Sequence, residues 1–215
     1  MHSGGRANSL FGNGVLSPEP PSTRGIPEIS LVQSKSGVDV PETESDTYVY
    51  DPRTPVPFIT EPTSSQIGGP DDYKPIHRRD DVLVYTSDPL TEPLEVIGPV
   101  RMRLFASTTT QDTDFMVQLH DVWPNGYAQR LCDGMVRARF RNGMDRPELV
   151  EPGAVIKYDI DCWNTCHTFL PGHRIRVHIT SSAFPKYDRN PNTGEPLGHT
   201  LPVLHRQFVS AGTRY

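Results

Sequence analysis

The sequence predicts an all-β fold, an antiparallel sandwich or jelly roll preceded by a proline-rich arm. Three observations carry this expectation. Half of the 22 prolines fall between Pro18 and Pro75, and proline's missing N–H and its clash with the preceding turn forbid long helices there. From Asp81 onward, short segments alternate apolar and polar residues with period two, which puts one set of side chains in a core and the other in water. Glycine-containing turn signals separate these segments.

The elements follow in chain order. Residues 1–80 read as a proline-rich arm with loops wrapping the domain. Its Ser17–Ser45 portion carries many Ser, Thr and Glu residues and few aromatics, the composition of an exposed loop. Residues 81–215 read as the sandwich. Its expected strands are Val82-Leu83-Val84-Tyr85, Val100-Arg101-Met102-Arg103-Leu104, Phe115-Met116-Val117-Gln118-Leu119-His120, Val136-Arg137-Ala138-Arg139-Phe140, Tyr158-Asp159-Ile160-Asp161-Cys162 and Ile175-Arg176-Val177-His178-Ile179. The expected turns are Asn125-Gly126, Asp133-Gly134, Asn142-Gly143, Glu151-Pro152-Gly153 and Leu170-Pro171-Gly172-His173, where glycine supplies the positive φ of a tight turn. Trp123-Pro124-Asn125-Gly126-Tyr127 reads as a hairpin tip. There, Trp123 either covers the open end of the sandwich or joins Tyr127 in an aromatic binding platform.

Composition excludes several classes. A net charge of -5 and a pI of about 5.9 leave no basic footprint for nucleic acid. No apolar run approaches the roughly 20 residues of a membrane span. The start, Met1-His2-Ser3-Gly4-Gly5-Arg6, lacks the apolar stretch of an export signal, so a cytoplasmic location is expected. A chain of 215 residues can bury a core without disulfides. Cys162 and Cys166, with His167 adjacent, have half the spacing of a zinc site. No second Cys/His pair stands at ligand spacing, so the three cysteines read as reduced thiols and neither metal nor cofactor is expected.

Local catalytic motifs are missing. There is no Gly-x-Ser-x-Gly elbow, no His-Glu-x-x-His helix, no P-loop and no Gly-x-Gly-x-x-Gly turn. His178 alternates with Val177 and Ile179, which assigns it to the polar face of a strand, and His167 and His173 flank a turn. His120, His199 and His205 read in the same way, as structural side chains. Asp112 and Asp114 lie about 6.6–6.8 Å apart in an extended chain, within the span of a glycosidase pair. The simpler reading is a turn that bonds its own backbone. Arg101, Arg103, Arg137, Arg139, Arg174 and Arg176 alternate along strands. Two readings stay open for them: a polar sheet face laced with Asp159 and Asp161, or a face that meets another domain.

Longer motifs add a resemblance. Asp80–Ser87 with Pro89–Val100, Asp112-Thr113-Asp114-Phe115, Asp121–Gly126, Leu131-Cys132-Asp133-Gly134, Phe169–Arg176 and above all Ser181–Glu195 resemble the C-terminal domain of the cocaine-esterase/X-prolyl dipeptidyl-peptidase (CocE/NonD) serine hydrolase family. His2–Asn8 and Tyr48–Pro52 fit the same family, so the resemblance spans nearly the whole chain. It implies a galactose-binding-like jelly roll that is non-catalytic and packs on an α/β-hydrolase domain carrying the Ser, Asp and His triad upstream. No catalytic residue is assigned to this chain, and the chain alone is expected to be inactive. In some relatives the loop corresponding to Pro57–Gly69 reaches the acyl pocket, which makes Phe58 and Ile59 the candidate substrate-pocket residues.

The sequence departs from the family in that loop, in Ala183 where Asn is usual, and at Thr213-Arg214-Tyr215, after which the family continues with a closing strand. The expected partners are the α/β-hydrolase domain and a second copy of the chain, with no nucleic acid and no membrane. The alternative function is a free-standing carbohydrate-binding-like module using Trp123 and Tyr127.

Overall fold

The computed structural model describes residues 1, 3–18, 45–59 and 71–196, and the backbone of 207–212. Among the described residues, eight strands form two four-stranded sheets. The strands are β1 (Asp46–Tyr50), β2 (Leu83–Thr86), β3 (Leu94–Thr108), β4 (Asp114–Val122), β5 (Ala128–Arg137), β6 (Ile156–Phe169), β7 (Arg174–Thr180) and β8 (Gln207–Gly212). One sheet has the order β2-β7-β4-β5, the other β1-β8-β3-β6, and every pairing is antiparallel. The molecule is a β-sandwich, as the alternation predicts.

The inner faces meet over one core. Leu83, Tyr85, Phe115, Val117, Val177 and Ile179 come from the first sheet, and Tyr48, Tyr50, Leu104, Tyr158 and Ile160 from the second. These are the same-parity residues of each strand. The other face of the first sheet is also covered. Residues 56–59 and 73–76 lie over it, and Val56, Tyr73 and Ile76 pack on Val82, Val84, Val122 and Ala128. A 3₁₀ helix, Lys74–Arg78, starts beside Pro75 and forms part of this roof.

Each expected strand except the fourth lies within or against an observed one. Val136–Phe140 divides: β5 ends at Arg137, and Ala138–Phe140 turns into a 3₁₀ helix whose Ala138 N–H bonds the Thr113 carbonyl. Four of the five turns fall between elements, with Gly126, Gly143, Gly153 and Gly172 at positive φ. Asp133-Gly134 does not; it lies inside β5. A Cβ on Gly134 would stand 2.2 Å from the Asp161 carbonyl oxygen of β6. Glycine is there because the edges of the two sheets touch backbone to backbone, a use that sequence alone cannot tell from a turn.

Two parts of residues 1–80 belong to the sandwich itself. β1 is a strand of the second sheet, and Tyr48 and Tyr50 are core residues. Residues 7–16 run along the outer edge of β2, with Val84 N–H bonded to the Ala7 carbonyl, Ser9 N–H to that of Val82 and Leu16 N–H to that of Thr86. Most of Ser17–Ser45 lies outside the described residues, as do His199, His205 and Thr213–Tyr215.

Candidate functional site

The roofed face of the first sheet holds most of the unusual chemistry. His77 comes from the 3₁₀ helix, His120 from β4 and His178 from β7, and all three are fully buried. The expectation that His178 occupies a wet polar face is therefore corrected. Its parity was read properly, but the roof makes the outward face of β7 a second interior. The rings of His120 and His178 meet edge to face with centroids 4.0 Å apart, and His77 meets His178 at 5.0 Å. Arg176 lies beside them, its Nη1 3.1 Å from the His77 ring nitrogens and its Nε bonded to Thr86 Oγ1. Burial lowers the His77 pKa to about 3, and it holds His120 and His178 well below the ordinary histidine range.

Asp112 and Asp114 are neither a catalytic pair nor a self-contained turn. Each carboxylate is buried and faces an arginine: Arg139 Nε is 2.7 Å from Asp112 Oδ2, and Arg137 binds Asp114 through Nε and Nη2 at 2.8 and 2.9 Å. Asn190 Nδ2 donates to both carboxylates, at 3.0 and 2.8 Å. The network pins Ser181–Glu195 to the start of β4 and the end of β5. The arginines do not share one face. Arg103 does pair with Asp159 on an exposed face, Arg139 is buried and Arg137 half-buried in this network, and Arg176 is buried on β7 beneath the roof. Asp161 accepts from the Trp163 amide.

At one end of the sandwich, Asp121 bridges His173 Nδ1 at 2.8 Å and His167 Nε2 at 3.0 Å. Trp123 leans on His173 and meets Tyr127 edge to face, the planes inclined by 72°. The hairpin tip is closed by the Trp123 and Tyr127 backbones. Two rings so inclined share no flat stacking surface, and the Trp123 ring itself stays exposed while it leans on His173.

Phe58 and Ile59 stand where the roof meets the edge of the first sheet. Phe58 is buried with Met116 and Ala183, while Ile59 is half-buried against the roof cluster. The guanidinium of Arg130 lies 4.7 Å from the Phe58 ring centre and the Lys186 ammonium 4.9 Å away. Both cations pair with the buried Asp133. Residues 60–70 of the loop lie outside the described residues. At Ala183, where the family usually has Asn, the chain is closed by backbone, Tyr187 N–H to the Ala183 carbonyl.

Nothing in these arrangements activates a nucleophile. Ser181 shares a hydrogen bond with the Tyr48 hydroxyl, and Ser182 Oγ accepts from the Val56 amide. Burial pushes the Cys132 thiol up to about 11 and the Cys162 thiol up to about 12, the opposite of what a reactive thiolate needs. Among the described residues, no helix is long and apolar enough to cross a membrane.

The family model of the X-Pro dipeptidyl-peptidase C-terminal non-catalytic domain matches residues 31–215. The chain belongs to that family. It is 46% identical to the cocaine esterase of Rhodococcus sp. (strain MB1 Bresler) over 192 residues, covering 88% of this chain and 30% of that protein. An aminopeptidase from a marine sediment Thaumarchaeota archaeon superposes with a TM-score of 0.73 at 37% identity, over 79% of this chain and 31% of that one. An α-amino acid ester hydrolase does so with a TM-score of 0.74 at 31% identity, over 79% and 30%. The chain thus spans under a third of the length of these relatives. The motif order seen in the sequence identified the family. The roof histidines were missed because they are scattered over three elements and share no local spacing.

Proposed function

We propose that this X-Pro dipeptidyl-peptidase C-terminal domain packs on an α/β-hydrolase domain and shapes the acyl pocket of an ester- or amide-cleaving serine hydrolase. The observation that supports this most is its match to a stretch amounting to 30% of cocaine esterase, with the non-catalytic family model covering most of this chain. The geometry agrees, because Asp112, Asp114 and Asp133 are tied into structural ion pairs and the thiols of Cys132 and Cys162 are suppressed. The reaction, acyl transfer to an activated serine with an oxyanion hole, belongs to the partner domain.

Phe58 and Ile59 are the residues proposed to reach the pocket. Phe58 is fixed under Arg130 and Lys186, so it acts by holding the loop. Ile59, half-buried and next to the loop's outer part, is the apolar contact. Two measurements test the reading. The purified chain should show no turnover of p-nitrophenyl esters or X-prolyl amides and no labelling by a fluorophosphonate. Turnover blocked by that reagent defeats the non-catalytic assignment. A cocaine esterase chimera carrying this chain in place of its matching stretch should hydrolyse esters, and Ile59→Ala in the chimera should change KM for bulky acyl groups more than kcat. Unchanged KM across acyl groups overturns the role of Ile59.

A further inference from the structure

The histidines under the roof present an unresolved energetic problem. Neither ring nitrogen of His120 nor of His178 has a hydrogen-bond partner. Each unmade bond of a buried polar group costs about 1–3 kcal/mol, and native interiors leave few such groups unpaired. Here, two fully buried rings carry that cost side by side. The third, His77, completes a triangle in which one ligand nitrogen from each ring lies within 4.8 Å of the others. Three elements far apart in sequence deliver these rings to one point. A core that needed only volume there would be filled by apolar residues.

We propose that His77, His120 and His178 form a three-imidazole site for a divalent transition-metal ion of the zinc type. An all-nitrogen ligand set suits zinc, cobalt, nickel or copper and not the oxygen-seeking calcium or magnesium. Burial already keeps the three rings neutral, which is the form that binds metal. A tetrahedral centre with Zn–N of about 2.0–2.1 Å places its nitrogens about 3.3 Å apart. The rings therefore close in by small side-chain rotations when the ion enters.

His77 gives up its contact with Arg176, which keeps its bond to Thr86. The arginine's charge beside a dication calls for an anion, hydroxide or chloride, as fourth ligand. With all three ligands buried, the site is structural: it ties the 3₁₀ helix of the roof to β4 and β7.

The experiment is a cobalt titration of the full chain after chelator treatment, followed by zinc displacement. One equivalent of cobalt should bind with the visible absorption of a four-coordinate nitrogen site, and zinc should bleach it and raise the melting temperature. His120→Ala and His178→Ala should weaken binding by more than the roughly 10–100-fold typical for losing a group that merely orients a ligand. His167→Ala, which touches the separate Asp121 cluster, should leave it unchanged.

Circular dichroism of each variant reports its fold. Nitrogen-15 shifts of the imidazoles in the unmodified chain with zinc provide a readout that needs no substitution, and three rings should move to the metal-bound position. A wild-type chain that binds no cobalt, or binds it through His167 and His173, overturns the proposal.

Discussion

Arg139 and Asp112 meet where water cannot reach them, and the carboxylate also accepts from Asn190 and from the Arg139 amide. Removing one charge strands the other. Arg139→Met should cost about 3–5 kcal/mol of stability in urea unfolding, and the double substitution with Asp112→Asn should recover much of it, since no lone charge is left buried. The cysteines give a second test at this scale. Cys132 and Cys162 are buried while Cys166 is exposed. One thiol per folded chain should react promptly with Ellman's reagent, and all three after denaturation. All three are free thiols, and two of them are packed in the interior. Side-chain roles were hard to read for one physical reason. Alternation tells which face of a strand a residue occupies, and it does not tell whether that face is wet. For Lys157 and Asp159 the outward face is exposed, and for Gln118, His120 and His178 it is a roofed interior.

Among the elements, β5 and β6 show how one small residue sets the spacing of two sheets. Gly134 lets β5 lie against the Asp161–Cys162 backbone of β6. Gly134→Ala should cost at least about 3 kcal/mol, because the obstacle is backbone and cannot rotate away. Thermal melting of the variant checks this. The strands themselves were legible wherever one face is core and the other water, as in β3 and β6, although both run longer than their alternating centres. β1 was missed because it lies among prolines and polar residues, with only Tyr48, Val49 and Tyr50 to mark it. β8, Gln207–Gly212, has little alternation to offer. The end of β5 failed for a different reason. Ala138 and Arg139 keep the expected alternation, but the Asp112 contacts to the Arg139 amide and guanidinium fold the chain into a turn.

For the molecule as a whole, the first residues act as a strap. Asp46, buried at the start of β1, accepts from the Ala7 amide at 2.6 Å and from the Tyr85 hydroxyl at 2.7 Å, joining the N-terminal segment to both sheets. The same segment occupies the edge of β2, where an open strand would invite pairing with another chain. Deleting residues 1–17 should lower the urea midpoint and increase light scattering on mild heating. A truncated chain as stable and as monodisperse as the full one would show the strap to be dispensable.

The sheet order has one more consequence. Among the described residues, β1 is hydrogen-bonded in its sheet to β8 at the sheet's edge, and Tyr50 pairs with Gln207. A nascent chain therefore holds β1, with Tyr48 and Tyr50, without its strand partner until β8 has been made. Loop closure over such a separation is slow, and exposed strands with aromatic side chains are the species chaperones recognise. The window of vulnerability for this domain lies on the ribosome, before the second sheet can close.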